Sequence, residues 1–547
     1  MSEQSKKQSF LGGAAILAAA VAVVKVIGAL YKLPLNNILG DVGKTYFQTA
    51  YEIYNVLLTI STAGLPLAIS KLTSQAHARG RENEKRKIFR TAIWLFFLLG
   101  LAGSCLMFFG AQGLADFQRN SMAAAPIRAL APAVFCVCLL ACMRGYTQGQ
   151  GNMGPTAVSQ VLEALCKLGV GLPLAWYILK KSRETAELAA GSDGMEHVAA
   201  GAILGVTVGT ILSMVFLILY LLRRRDRTVS DDVPRSSGYL LRRILAIGVP
   251  ITLGNCAMSI ITMIDTKIIL GRLQTGLGLT EVAASALKGQ YSYAMDMLNM
   301  VASFVYPVTM SLIPFAAAAL ARGDKRGASR TVNSAFRILA LLALPAGVGL
   351  SVLSTPIMVL VLPAQQEGAL AAGPHLRILG IACIFVCLMI LTNAILQTYG
   401  KEHLPIFTVI VGGVVKIVMN YLLVGNPNVG IRGAPWSTLC CYGVIAGLNL
   451  FFVWKYSPRK PHYFRLFARP VFASALMGLA AWAVCSLVSR LLSGHSAYGA
   501  NAVAALCGIL AGVAVYGVLV IALGLLRADD MKNIRGGEKL IKLLHLR

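Results

Sequence analysis

Apolar residues run in blocks of about 20 from Leu11 to Leu526, parted by short polar, basic or glycine-bearing connections with no long polar stretch among them. A helix of about 20 apolar residues crosses a hydrocarbon core of about 30 Å, and an open backbone cannot be satisfied there, so such blocks predict transmembrane helices. They fall over 10–31, 46–70, 88–112, 127–149, 155–179, 198–222, 243–270, 284–316, 333–361, 375–398, 404–424, 434–455, 469–490 and 500–526, about fourteen spans of an all-α polytopic membrane protein. Prolines at 66, 250, 307, 314 and 345 predict bends within them, one way for helical lobes to open and close.

Of the 547 residues, 56% are apolar and 13% charged, which excludes a soluble globule and leaves no room for a separate soluble domain. The twelve cysteines lie in or beside apolar blocks and read as small core residues. Cys138 and Cys142, like Cys383 and Cys387, stand four apart, but no histidine or carboxylate cluster accompanies them, so no metal and no cofactor is expected. Lys6 and Lys7 precede an apolar run, Leu11 to Leu30, that is too long for a signal-peptide core and reads as an uncleaved first helix. Phosphate-loop, HExxH and nucleophile-elbow motifs are absent and the seven histidines do not cluster, so the expectation is a transporter, not an enzyme.

A formal charge of +27 suggests nucleic acid until its distribution is read. The 71–90 connection carries Lys71, Arg79, Arg81, Lys85, Arg86, Lys87 and Arg90, and 223–243 carries seven arginines; 317–337, 456–469 and the tail 527–547 are similarly basic. By contrast, 363–374, 425–433 and 491–499 together hold one basic residue, Arg432. The alternation is a positive-inside signal that predicts a multi-pass cell-membrane protein with both termini cytoplasmic and no nucleic-acid partner. The basic connections also suit anionic membrane lipids.

The chain repeats itself. Ala78-Arg79-Gly80 and Ala321-Arg322-Gly323 are related by an offset of 243, and Gln148, Gly151 and Lys167 map onto Gln397, Gly400 and Lys416 at an offset of 249, with Pro155 and Pro405 one residue out of register. Spans 1–6 and 7–12 thus look like two copies of a six-helix unit. An even number of spans makes the repeat parallel, a pseudo-two-fold along the membrane normal enclosing a central cavity. The expected organisation is an N-lobe over 1–222, a basic linker over 223–242, a C-lobe over 243–456, and two further helices with a tail over 457–547.

Ionisable groups inside a bilayer cost roughly 2.5–3.5 kcal/mol on insertion scales and must face protein, water or substrate. The candidates are Lys25 in the first span, Glu52 in the second, Glu163 and Lys167 in the fifth, Asp265 and Lys267 in the seventh, Asp296 in the eighth and Lys416 in the eleventh. Lys25, Lys167 and Lys416 would place positive charge where a diphosphate is attracted. Lys167 has Glu163 one turn earlier in the order that favours an ion pair, and Lys416 has Asn420 one turn later. Asn393 and Gln397 share a face of the tenth span and suit either sugar hydroxyls or another helix. Glu52, Asp265 and Asp296 are candidates to couple transport to Na+, protons or the membrane potential; Asp265 and Asp296 equally suit a role as counter-ions to Lys267 and Lys288, two lysines that sit where a long side chain snorkels. Arg144 reads as an anchor at a helix end.

The run Arg144-Gly145-Tyr146-Thr147-Gln148-Gly149, leading to Asn152-Met153-Gly154-Pro155-Thr156-Ala157-Val158-Ser159-Gln160-Val161-Leu162-Glu163, resembles the MOP flippase superfamily. Within it the chain is similar to the polysaccharide-transporter branch of MurJ-like lipid II flippases and stage V sporulation protein B-like proteins. The resemblance implies alternating access, a polyprenyl-diphosphate-linked saccharide moved from inner to outer leaflet for cell-wall or polysaccharide synthesis, and a lipid-tail groove at the last two spans. It also makes cell-wall synthesis proteins candidate partners. Lys25-Val26-Ile27-Gly28 matches a position where these proteins carry a cavity arginine, but the second basic position falls at Tyr31, with Lys32 beside it. That departure favours lipid-linked oligosaccharides broadly over lipid II by name. A cation-coupled multidrug exporter of the same superfamily is the competing reading, disfavoured by the extra helix pair and the lysines; a non-transporting scaffold for envelope or spore assembly is a third.

Overall fold

The computed structural model describes residues 3–184, 194–224, 230–305, 316, 319–320, 322–492 and 497–525. Among these the regular structure is helical throughout, without a strand. The helices are α1 (Glu3–Thr62), α2 (Leu65–Ala78), α3 (Glu82–Phe109), α4 (Ala111–Phe117), α5 (Ala124–Gly149), α6 (Gly154–Cys166), α7 (Leu172–Glu184), α8 (Met195–Arg223), α9 (Ser237–Leu277) and α10 (Glu281–Ser303). They continue with α11 (Lys325–Val352), α12 (Ser354–Val361), α13 (Gln366–Thr398), α14 (His403–Val424), α15 (Gly433–Tyr456), α16 (Tyr463–Leu491) and α17 (Ala497–Ala522).

Among the described residues, twelve helical stretches are long and apolar enough to cross a membrane. The first, Ala19–Ala78, holds parts of two expected spans, 10–31 and 46–70. Its chain turns at Gly40 (φ 61, ψ −176), a backbone conformation that side chains with a Cβ avoid. Beyond the turn the helix runs to Thr62, breaks, and resumes as α2 with Pro66 in its first turn, where a missing N–H costs nothing. The expected span 284–316 is described as α10, and most of its remainder, with Pro307 and Pro314, lies outside the described residues, as do Arg225, Arg227, Ala321 and the tail 527–547.

The chain divides into two compact units, 1–289 and 290–547. In the first, α5 packs against α1, α2, α3 and α8, and its small residues permit close approach. A side chain on Gly145 would meet the backbone of Pro66, and one on Gly205 of α8 would overlap Gly171. In the second unit α13 packs against α11, α12 and α15, while α16 and α17, the last two expected spans, pair with each other and lean on α11 and α12. The glycines of the repeat have a structural cause: Gly80 (φ 68) and Gly323 (φ 72), like Gly151 (φ 78) and Gly400 (φ 69), adopt left-handed backbone where a helix has just ended.

Candidate functional site

The turn after α5 creates a polar cluster. Gly151 and Asn152 reverse the chain, Asn152 donating from Nδ2 to the Tyr220 hydroxyl (2.8 Å) and accepting from the Gly154 N–H (3.3 Å), so that α6 returns to pack on α8 and α1. Arg144 then reaches across: its Nε donates to Ser159 Oγ (2.9 Å) and its terminal nitrogen lies 3.4 Å from Glu163 Oε2. Lys167 Nζ is 3.2 Å from the other carboxylate oxygen, Oε1. Ser159 donates to the Thr156 carbonyl (2.8 Å), and Ser213 of α8 donates to the Ser159 carbonyl (2.8 Å).

Lys167 begins a π-helical stretch, Lys167–Gly171, a local widening that proteins use to redirect side chains. Tyr51 and Tyr54 of α1, with rings 5.6 Å apart, lie within its electrostatic reach. Two cations share one carboxylate, which leaves the cluster one positive charge in excess. The side chains of Arg144, Glu163 and Lys167 remain 16%, 16% and 24% exposed, so the charge is accessible. Lys25 lies on the exposed side of α1 with Lys32 as an electrostatic neighbour, whereas Tyr31 is buried and its hydroxyl donates to the Ala202 carbonyl (3.4 Å). The second basic position of the resemblance is thus occupied by a packing contact. Arg144, expected as an anchor, is an inward partner of Glu163; its signal was the run 144–163 itself.

A second buried cluster gathers around Glu52 of α1, next in sequence to Tyr51. Glu52 (3% exposed) accepts through Oε1 from Thr266 Oγ1 (3.0 Å) and Gln48 Nε2 (3.2 Å). Its other oxygen is buried with no hydrogen-bond partner among the described residues. Asp265 and Lys288, also buried, act on Glu52 electrostatically. The structure therefore brings Glu52 and Asp265 together, while Asp296, buried on α10, belongs to the second unit. Lys267 lies with Nζ 3.4 Å from the centroid of the Phe117 ring, a cation–π contact.

In the second unit Lys416 and Asn420 are buried on α14, with Ser437 of α15 donating to Asn420 Oδ1. Asn393 accepts from Asn449 Nδ2 (2.8 Å), and Thr408 Oγ1 donates to Asn449 Oδ1 (2.8 Å), so Asn393 ties α13 to α15 and α14. Gln397 is exposed. The offset of 249 carries Arg144 onto Asn393, Ser159 onto Thr408 and Thr156 onto Pro405. The Thr408 hydroxyl donates to the Pro405 carbonyl (3.0 Å) as that of Ser159 does to Thr156. Each unit thus ties the same helices together, with charge in the first and neutral amides in the second.

A further contact outside the membrane-spanning segments escaped the sequence reading. The connection before α9 folds onto the start of α3, where Asp232 accepts from the N–H groups of Asn83 and Glu84 (both 2.9 Å). Asn83 Nδ2 returns a bond to the Ser230 carbonyl (2.6 Å), and Ser230 Oγ donates to Asp232 Oδ1 (2.6 Å). Slight desolvation acts to raise the Asp232 pKa, but the hydroxyl and the two N–H groups outweigh it and hold the carboxyl below its ordinary value. A cap supplied from about 150 residues away leaves no local signal.

Known proteins share this architecture. Over 98% of its length the chain is 26% identical to the uncharacterized membrane protein YabM of Bacillus subtilis (strain 168), of which the match spans 96%. From the same organism, stage V sporulation protein B is 23% identical (96% of this chain, 98% of that) and lipid II flippase MurJ 24% (92% and 94%). Among solved structures, lipid II flippase MurJ in an inward closed conformation superposes with a TM-score of 0.62 at 14% identity, covering 92% of this chain and 99% of that one. An inward-facing multidrug resistance MATE family transporter gives 0.60 at 17%, over 82% and 98%. The MatE family model matches residues 250–422. The model described as polysaccharide biosynthesis protein matches residues 10–319, more than half of the chain. The chain belongs to the polysaccharide biosynthesis protein family, and its polytopic helical fold is that of solved transporters of the MOP superfamily.

Proposed function

We propose that this protein is a flippase that moves a polyprenyl-diphosphate-linked saccharide from the inner to the outer leaflet of the cell membrane. The observation that carries the reading is the Arg144–Glu163–Lys167 cluster, accessible and one charge positive, in a chain similar to lipid II flippase MurJ over nearly its whole length. Arginine holds phosphate through two parallel N–H groups and lysine as a point charge, so this pair suits a diphosphate. Lys25, exposed in the first span, adds to the attraction. In this reading the basic connections face the cytoplasm, Glu52 and Asp265 take the coupling cation or proton, and proteins that polymerise the saccharide receive the product.

The acidic pair Glu52 and Asp265 also favours a second reading, a cation-coupled exporter of the MATE type. Organic cations would be repelled by the positive cluster, which ranks this reading second.

The test is depletion in a host stripped of redundant flippases, followed by measurement of lipid-linked saccharide accessible at the outer face. Wild type should restore exposure, and a Lys25→Ala, Lys167→Met variant at matched protein level should not. Unchanged exposure on depletion sinks the flippase reading and makes drug efflux the next assay. Full rescue by the variant removes the cationic mechanism.

A further inference from the structure

Within the second unit, α11, the first turns of α16 and the end of α17 enclose a cavity of about 400 Å3. Three arginines line it, Arg337, Arg465 and Arg469, beside Leu341, Phe464 and Leu525, and among the described residues its lining has no acidic side chain. Packing holds the walls: Phe336 stacks edge-on against Tyr463 and Phe467, and the Tyr516 hydroxyl donates to the Leu341 carbonyl (3.1 Å). The cations are therefore carried on a built surface.

We infer that this cavity holds the phosphate of a resident anionic glycerophospholipid. Its polarity profile carries the argument. Arg465, Arg469, Phe472, Leu476 and Leu479 follow at helical spacing along α16, and all five are exposed. Over the stretch from Arg465 to Leu479 charge is confined to the first two turns and apolar surface continues below, the order of headgroup and acyl chain in one leaflet. Val518 and Ile521 of α17, also exposed, extend the apolar part, and Phe464 (86% exposed) stands at the rim. Basic pockets between transmembrane helices recognise anionic headgroups because the guanidinium fork matches a phosphate and the membrane surface concentrates it. The site lies on the face that carries the basic connection 456–469 and shares no residue with the Arg144 cluster, so it stands whether or not the flippase reading does.

The test uses the full chain in nanodiscs of equal phosphatidylglycerol and phosphatidylcholine, with retained lipid counted by native mass spectrometry. Wild type should retain phosphatidylglycerol after phosphatidylcholine is stripped. Arg465→Gln and Arg469→Gln, both at exposed positions and tolerable to the fold, should each lower retention about fivefold, and the triple variant with Arg337→Gln should abolish the preference. Arg326→Gln with Arg330→Gln, basic but outside the cavity, should leave it unchanged. Equal retention by the arginine variants, or equal loss in the control pair, overturns the site. So do two displacement results: phosphatidylglycerol released by millimolar inorganic phosphate, meaning an ion site only, or by equimolar polyprenyl diphosphate, meaning a substrate site.

Discussion

Glu163 sits between Arg144 and Lys167, and what it contributes depends on both. Removing one partner of a buried ion pair is costly because the remaining charge keeps its desolvation without its attraction. Here a second cation remains and the groups are partly exposed, so Lys167→Met should lower stability by about 1–2 kcal/mol. Adding both Glu163→Gln and Arg144→Gln, which leaves no charge of the cluster unpaired, should recover most of that in thermal unfolding. Transport separates structure from function: if Lys167 touches the diphosphate, the triple variant stays inactive although its stability returns. Recovery of both would make Lys167 a helix-pairing residue alone. Lys25 differs from Lys167 in lying on the exposed side of α1.

At the scale of elements, the free N–H groups of a helix start need acceptors, and α3 obtains two from Asp232 of a distant connection. The carboxyl is held below its ordinary value, so its stabilisation is complete at pH values above the ordinary aspartate range. It is lost as pH falls through the depressed value, so the cap persists at neutral and mildly acid pH. Hydrogen exchange at pH 7 should therefore find the first-turn amides of α3 about fivefold faster in Asp232→Ala than in wild type, the factor expected for one lost cap. Acidifying wild type below the ordinary range should reproduce that loss of protection, each rate being taken relative to intrinsic exchange at the same pH. Amides that exchange alike in both proteins would mean that the connection does not dock in the membrane. Between α6 and α7, the π-helical stretch Lys167–Gly171 similarly couples local geometry to a site, since it ends at the Gly171–Gly205 contact with α8.

For the whole molecule, the division of basic residues among connections makes a prediction about orientation. In a background without the twelve native cysteines, Asn428→Cys should react with an impermeant maleimide added outside intact cells, and Lys460→Cys only after permeabilisation. The reverse pattern would invert the topology and with it the direction of transport. The fold tolerates two chemistries, since it resembles both a lipid II flippase and a multidrug transporter, so function is decided by which charges the helices carry.

Hydropathy alone determined the class of this protein, because a hydrocarbon solvent constrains composition directly and leaves the backbone little choice. The repeat was legible in its glycines, whose left-handed conformation tolerates few other residues, and the Glu163–Lys167 pair in a spacing of four. Tertiary structure decided the rest. Arg144 joined that pair through the turn at Gly151, Thr266 met Glu52 across 214 residues, and Asn449 took up Asn393. A helix apolar on every side has no amphipathic stripe to reveal which face its few polar groups occupy, so its rotation, and hence its partners, are set only when the neighbouring helices pack.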